Sequence, residues 1–378
     1  MGRYRGVELN DVVLSSERLT LRSWRSTDAP AVHEAMQDPA MHQFLALPDP
    51  YEHCDAVEFV TEFAAAGRRD ATGLACALVN TATGELVGSA DLRFPAARRT
   101  AAEIGYVVYA SARGHGYSAE ASRVLAQWAF AHGIGRVAIH CAVGNLASAK
   151  TALNAGFGFE GVLRGDVCTP AGPADGAVFA RLDGDRGEPV EPVAPQLPPT
   201  GLTDRVVTVR PLSLGDEHGL LEQEEDPVTR QWELTDTPRD ADEHARLAPA
   251  ARLHWLVGPV LRCAIVDTRT GSYAGMINIR LQGPPNVGGI GYAVHPTFRA
   301  RGYTARALRL LARWAFDVAG FARLELGAKV ANVASVKAAL RAGFEADGVR
   351  QARLRNPDGT FSDEVRFALV NPRHRSDG

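Results

Sequence analysis

Alternation of apolar and polar positions predicts a regular series of elements along the chain. Residues Arg18 to Trp24 alternate with period two and read as a first strand. Asp28 to Asp38 and Tyr51 to Ala66 read as helices, with Asp28 a suitable N-cap. Gly73 to Asn80 and Leu86 to Phe94 read as strands of a hairpin, joined at Thr83-Gly84. A strand from Glu103 to Tyr109 then leads through a glycine turn into a helix carrying Val124, Leu125 and Trp128 on one face. Arg136 to Val143 predicts another strand and Leu146 to Asn154 a short helix. Gly156 to Arg164 turns into a further strand, and Val178 to Leu182 closes the set. Hairpins followed by strand–helix–strand–helix predict an α/β fold, a mixed central sheet with helices on both faces. A parallel crossover would join the strands flanking the central helix.

The same series occurs twice. EIGYVVYASARGHGYSAEASRVLAQWAF, from Glu103 to Phe130, lies on GIGYAVHPTFRARGYTARALRLLARWAF, from Gly289 to Phe316, at an offset of 186. Cys76 to Arg93 lies on Cys263 to Arg280, and Asn145-Leu146-Ala147-Ser148 lies on Asn332-Val333-Ala334-Ser335. Leu19-Thr20-Leu21-Arg22 matches Val207-Thr208-Val209-Arg210 at an offset of 188. So small a drift in offset identifies a duplication: one domain at 1–183, a proline-rich linker at 184–204 and a second domain at 205–378. The five linker prolines (Pro189, Pro192, Pro195, Pro198, Pro199) deny helix and predict a semi-extended spacer.

Composition narrows the function classes. A chain of 378 residues suits two domains, each long enough to bury an ordinary core. It contains no apolar run of membrane-spanning length, and MGRYRGVELND is too polar for a signal peptide, so a cytoplasmic protein is expected. Gly6 stands where a myristoylation motif wants Ser or Thr. The net charge of −3 predicts neither a nucleic-acid surface nor an aminoacyl-tRNA donor. Five cysteines (Cys54, Cys76, Cys141, Cys168, Cys263) without a CxxC pair read as reduced thiols, and no metal site is expected.

Two stretches carry chemistry. Arg113-Gly114-His115-Gly116-Tyr117-Ser118 and Arg299-Ala300-Arg301-Gly302-Tyr303-Thr304 each lie between a strand and a helix N-terminus. Amides unpaired at such a turn, with the positive end of the helix dipole, suit a phosphate group. Glycine there also serves turn geometry alone. With the later Asn-x-x-Ser, these residues resemble the GNAT acyltransferase superfamily, most closely the branch that acetylates ribosomal-protein N termini and antibiotics. Its diphosphate motif is Arg/Gln-x-x-Gly-x-Gly/Ala, from which Ser118 and Thr304 depart. The resemblance covers nearly the whole chain apart from the linker. It implies a splayed parallel strand pair in each domain and a pantetheine thioester cofactor, acyl-CoA by default and acetyl-CoA first among these.

On that resemblance the loop amides hold the diphosphate, with charge added by Arg113, Arg299 and Arg301. A bulge in the central strand would open a slot lined by Val107, Val108 and Tyr109, and by Ala293, Val294 and His295. A backbone N–H there would polarise the thioester carbonyl. Asn145 with Ser148, and Asn332 with Ser335, suit either a helix cap or a proton donor to the departing thiolate. Glu103 is a candidate base for an attacking amine, or an ordinary strand-end carboxylate; the second copy has Gly289 there. His295 is the corresponding candidate in the second half, or a strand-end histidine beside Pro296, while His115 suits an exposed or phosphate-side position. Both halves therefore stay candidates for the chemistry. Glu222, Glu224, Glu225 and Asp226 read as a solvated helix face or a cation-attracting patch, and Trp232 and Trp255 as packing or acceptor stacking.

The expected activity is acyl transfer to an amine of a small molecule or peptide by direct attack. Two alternatives stand beside it. In one, the acyl group arrives on the phosphopantetheine of an acyl carrier protein in secondary metabolism; in the other, the protein binds acyl-CoA without catalysis.

Overall fold

The computed structural model describes residues 3–4, 7–9, 12–95, 100–233, 241–282 and 284–374. The chain divides into two units, Met1–Glu191 and Pro192–Gly378. Among the described residues, each unit is built on one mixed eight-stranded sheet. The first contains β1 (Leu14–Ser15), β2 (Leu19–Arg22), β3 (Gly73–Asn80), β4 (Leu86–Arg93), β5 (Ala101–Val108), β6 (Arg136–Ala142), β7 (Gly158–Thr169) and β8 (Gly172–Leu182), in the spatial order β1-β2-β3-β4-β5-β6-β8-β7. Its helices are α1 (Ala29–Met36), α2 (His53–Glu58), α3 (Ala64–Arg69), α4 (Tyr117–Ala131) and α5 (Leu146–Asn154).

Asp28 precedes α1 but does not cap it with its side chain. Its carboxylate accepts from the Arg25 N–H at 2.9 Å and pairs with Arg22 at 2.7 Å. The helix expected to end at Ala66 runs on to Arg69, with a π turn at Phe59–Phe63 between α2 and α3. Strand β7 continues well beyond Arg164, because a strand with little burial on either face carries no clean alternation to read. Leu125 of α4 is fully buried, but Val124 and Trp128 are half-buried and Trp128 stacks on Phe94 and His132.

The second unit repeats this with β9 (Leu202–Thr203), β10 (Val207–Pro211), β11 (Val260–Asp267), β12 (Tyr273–Gln282), β13 (Val287–Val294), β14 (Arg323–Lys329), β15 (Glu345–Arg355) and β16 (Phe361–Val370). Helices α6 (Glu217–Glu225), α7 (Pro227–Trp232), α8 (Ala241–Val257), α9 (Tyr303–Asp317) and α10 (Val333–Ala342) accompany it. The proline-rich segment packs on each side of the division. Val190 N–H donates to Leu153 O and Val193 N–H to Leu256 O, both at 2.9 Å, while Ala194 and Leu197 are buried in the second core.

One parallel pairing in each sheet positions the site. Strands β5 and β6 pair only at Ala101/Arg136, Ala102/Val137 and Glu103/Ala138, then diverge. Strands β13 and β14 pair from Val287/Arg323 to Ile290/Leu326 and diverge likewise. The bulge expected in the central strand is absent. Its ladder with β4 holds unbroken register from Glu103/Arg93 to Val108/Gly88, and the register shift lies one strand away, between Leu78 and Val79. The slot opens by divergence of two regular strands.

Trp255 and Trp314 meet edge to face at 5.4 Å in the second core, and Trp255 Nε1 donates to Arg262 O at 3.1 Å. Trp255 is therefore packing. Replacing it with Ala is expected to destabilise the second unit by about 3–5 kcal/mol in chemical denaturation.

Candidate active site

Antiparallel ladders alternate between residues that bond their partner and residues whose backbone groups face away. Tyr109 N–H donates to Val87 O at 3.0 Å, which fixes the phase in the first unit. Residues 107 and 105 also bond β4, so the backbone groups of Tyr106 and Val108 face the divergence from β6. In the second unit His295 N–H donates to Ala274 O at 3.0 Å, and the facing residues are Tyr292 and Val294. Of the expected lining, Val108 and Val294 present their backbone groups to the opening, while the backbones of 107, 109, 293 and 295 bond the neighbouring antiparallel strand. Tyr109 itself is buried among Trp24, Val32, Met36 and Tyr51 on the helix side, where burial raises its phenol pKa.

Side chains converge on the opening. Tyr106 hydroxyl donates to Ser148 O at 3.0 Å and lies 2.9 Å from Ser148 Oγ. Asn145 Oδ1 accepts from Ser148 N–H at 3.1 Å, capping α5. The second unit repeats the set: Tyr292 lies 2.8 Å from Ser335 Oγ, and Asn332 caps α10 through Ser335 N–H at 3.1 Å. Each asparagine is a cap, and each cap sets its serine against a half-buried tyrosine. Burial raises both phenol pKa values, with the serine hydroxyl opposing, so the phenols stay protonated. Sequence reasoning missed Tyr106 and Tyr292. Their signal was the Gly-Tyr pair kept at 105–106 and 291–292.

Helices α4 and α9, unlike α5 and α10, begin without a side-chain cap. Gly116 (φ +76°) and Gly302 (φ +75°) precede them in the left-handed region, leaving the first-turn amides unpaired. Side-chain positions built at Gly114 and Gly302 would meet open space. A diphosphate fits this mouth in both units. Ala300 holds a positive φ of +59° where the first loop has Gly114. The first arginines are otherwise engaged: Arg113 pairs with Asp38 at 2.5 Å, and Arg299 with Asp226 and with Thr229 Oγ1. Arg301 is exposed, its guanidinium 5.3 Å from the Phe298 ring centre. His115 is exposed and stacked on Tyr117 at 5.6 Å. Ser118 turns its hydroxyl toward Thr151 of α5, at 3.3 Å, and Thr304 is half-buried.

The acetyltransferase (GNAT) domain family matches this chain twice, over residues 18–158 and 207–345. The chain belongs to the GNAT acetyltransferase family. It is 27% identical over 169 residues to the uncharacterized N-acetyltransferase YoaA of Bacillus subtilis (strain 168), covering 44% of this chain and 95% of that one. Among solved structures it is similar to the ribosomal L7/L12 α-N-protein acetyltransferase RimL in complex with coenzyme A, at 22% identity and TM-score 0.42, covering 46% of this chain and 100% of that one. It is also similar to spermidine N-acetyltransferase from Vibrio cholerae in complex with CoA and spermine, at 14% identity and TM-score 0.40, covering 45% and 99%. As a GNAT member the chain is an acyltransferase that acts on amines. Among the described residues no helix is long and apolar enough to cross a membrane, and no cluster is placed to hold a metal ion.

The two GNAT units differ on the sheet face opposite Tyr106. In the first, a cavity of ≈ 290 Å³ is walled by Phe44, Leu45, Asp91, Tyr106, His140 and Ser148 among others. Asp91 lies over Gly105, where a Cβ would come within 2.6 Å of its Oδ1. Burial raises the Asp91 pKa, Arg93 opposes this, and the neighbouring Glu103 adds to it. Glu103 shares that face but is not among the lining residues. Burial pushes the Cys141 thiol on the cavity wall up to about 11. In the second unit Asn278 and Gly289 replace Asp91 and Glu103. Lys329 is buried and donates to the carbonyls of Gln231 and Glu233, at 3.4 and 3.1 Å. The Glu364 carboxylate lies over Gly327 and Arg366 pairs with Glu325. His295 offers both ring nitrogens locally, to Glu222 at 3.1 Å and to the Thr297 N–H at 3.4 Å. The acidic helix is paired in the same way, Glu222 with His295 and His218, and Asp226 with Arg299. Trp232, half-buried, ends α7.

Tyrosines at the helix starts tie the loops down. Tyr117 hydroxyl accepts from Asn80 at 2.9 Å, and Tyr303 hydroxyl donates to Asp267 at 2.5 Å. The Tyr303 bond, with the Thr270 N–H, holds Asp267 down to about 2. This depressed folded-state value contributes stability that is present above the unfolded value of 3.8 and is lost as pH falls toward 2. Tyr303→Phe is expected to raise the Asp267 pKa toward 3.8 in a carboxylate NMR titration and to shrink the loss of stability across that window.

Proposed function

We propose that the first unit transfers an acetyl group from acetyl-CoA to a primary amine by direct attack, and that the second unit keeps a cofactor site with its acceptor face closed. The observation that carries this reading is the slot between β5 and β6, whose cavity is lined by Tyr106 and Ser148 together with Asp91 and His140. Bound there, acyl-CoA would supply a thioester carbonyl. Amides of residues 113–118 would hold its diphosphate, and the slot-facing backbone of Tyr106 and Val108 would meet the pantetheine amides and the carbonyl. Ser148 Oγ, fixed by Tyr106 and by the cap at Asn145, would deliver a proton to the departing sulfur. Glu103 and Asp91 would draw the cationic form of the amine toward the open face.

In the second unit Asn332, Ser335, Tyr292 and the loop from Arg299 to Thr304 would serve a bound pantetheine in the same way. Lys329 and Glu364 lie buried where the first unit has Ala142 and Gly176, which supports a unit that binds without transferring. The Ser118 contact with Thr151 bears on the donor. Its hydroxyl leaves the loop amides clear for two phosphates, which favours CoA over the single phosphate of a carrier-protein arm. The five cysteines are free thiols, which supports a cytoplasmic setting.

Calorimetry with acetyl-CoA and an amine-dependent thiol-release assay test this reading. Acetyl-CoA is expected to bind, and Ser148→Ala to lower kcat about 10²-fold or more while binding persists. Turnover only from a loaded carrier protein, or no binding of acetyl-CoA, would refute it.

A further inference from the structure

We propose that His140, oriented by Asp166, takes the proton from the attacking amine in the first unit. This rests on the reading of that slot as the reactive one. Register places the imidazole. Glu103 pairs with Ala138 across the parallel strands, so Ala138 and His140 point to the same sheet face as Glu103, Gly105 and Asp91. Tyr106 and Ser148 occupy the other face. A donor for the departing sulfur and an acceptor for the amine proton therefore lie on opposite sides of one opening, as aminolysis of a thioester requires.

The pair is built. His140 Nδ1 lies 2.6 Å from Asp166 Oδ2, with the two side chains 23% and 22% exposed. Asp166 reaches this place from β7 across β8, and it fits because residue 176 is glycine. A Cβ there would come within 2.6 Å of Asp166 Oδ2. Contact with a carboxylate assigns the proton to Nδ1 and leaves Nε2 as the acceptor. His140 lines the cavity that Asn145 and Ser148 also line. In the step, the amine nitrogen–carbon bond forms as the carbon–sulfur bond breaks. One proton passes from the nitrogen of the neutral amine to Nε2 of His140, which releases it to solvent, and one passes from Ser148 Oγ to sulfur and is made up from solvent. The net proton balance is zero.

Other titratable groups lie on the same sheet face as the imidazole or on the cavity wall. These are Asp91 and Arg93 on β4, Glu103 on β5, and the Arg136–Glu160 ion pair joining β6 and β7, with the Tyr106 phenol and the Cys141 and Cys168 thiols on the cavity wall. The second unit has no counterpart to the dyad. Gly327 stands at the position of His140, Arg353 at that of Asp166, and Glu364 at that of Gly176.

The test uses the full chain with acetyl-CoA and a panel of phenethylamine, putrescine and an alanyl peptide. Wild-type kcat/KM is expected to fall at acid pH. His140→Ala should lower kcat about 10²–10⁴-fold, lose that acid limb and recover partly with added imidazole. Asp166→Asn should lower kcat with KM nearly unchanged, and should shift His140 away from its Nδ1–H tautomer in ¹⁵N NMR. Calorimetric CoA binding should be equal in all three proteins. Wild-type transfer with an unchanged rate and pH profile in His140→Ala would overturn this inference alone. Acetyl-CoA binding without transfer to any amine by the wild type would overturn both it and the function proposed above.

Discussion

Two parallel strands that stop bonding partway along a sheet leave backbone donors and acceptors with no partner inside the protein. In each unit this happens in the middle of the sheet, after Glu103/Ala138 and after Ile290/Leu326. Buried backbone groups left unpaired are costly, so an opening kept in a regular sheet is a place reserved for something able to bond to it. An extended chain with its own amides is such an occupant, and pantetheine is one. The rest of each unit serves that opening. A glycine turn ends the diverging strand at a helix whose first amides stay uncapped, and a capped helix on the far side presents a serine.

The proposed cofactor half of this arrangement is the same in both units, down to the tyrosine–serine contact at 2.9 and 2.8 Å. The proposed acceptor half is not. Where the first unit has an imidazole, two carboxylates and a glycine, the second has glycines, an asparagine and a buried ammonium beside a buried carboxylate. Even the anchors invert sign. Glu120 in α4 bonds Arg18 and Ser16, whereas its counterpart in α9 is Arg306, which pairs with Asp204. An anchor needs only complementary charge, so either polarity serves. A proton acceptor needs a particular group at a particular atom, which is why the acceptor face tells the units apart.

Much of the fold was legible because duplication gives each element two chances to be read. Strands β3 and β4, helix α5 and the loop at Arg113 to Ser118 follow from local pattern and spacing alone. What stayed hidden depends on register. His140 and Asp166 are far apart in the chain and on strands that do not pair with each other, and Gly176, which admits Asp166, lies on a third. No spacing rule joins those positions. Of residues 107 to 109 only Val108 turns its backbone to the slot, with Tyr106, for a related reason: the phase of a ladder is set by one hydrogen bond, Tyr109 to Val87, that sequence does not display. The Arg113–Asp38 pair is hidden in the same way, because Asp38 arrives from a distant segment.

These pairings bear on how the proposed diphosphate would be held. With Arg113 and Arg299 each paired to an aspartate, the amides and the dipole of an uncapped helix contribute positive potential at each loop, joined in the second unit by the exposed Arg301. Fixed dipoles of this kind need no reorganisation when an anion arrives, and their geometry depends on the left-handed glycines rather than on a mobile guanidinium. The arginines are then fasteners, joining the loop to Asp38 in one unit and to Asp226 at the start of α7 in the other. A loop fastened in this way holds its amides in one conformation, so the cofactor half can persist in both units while the acceptor half diverges.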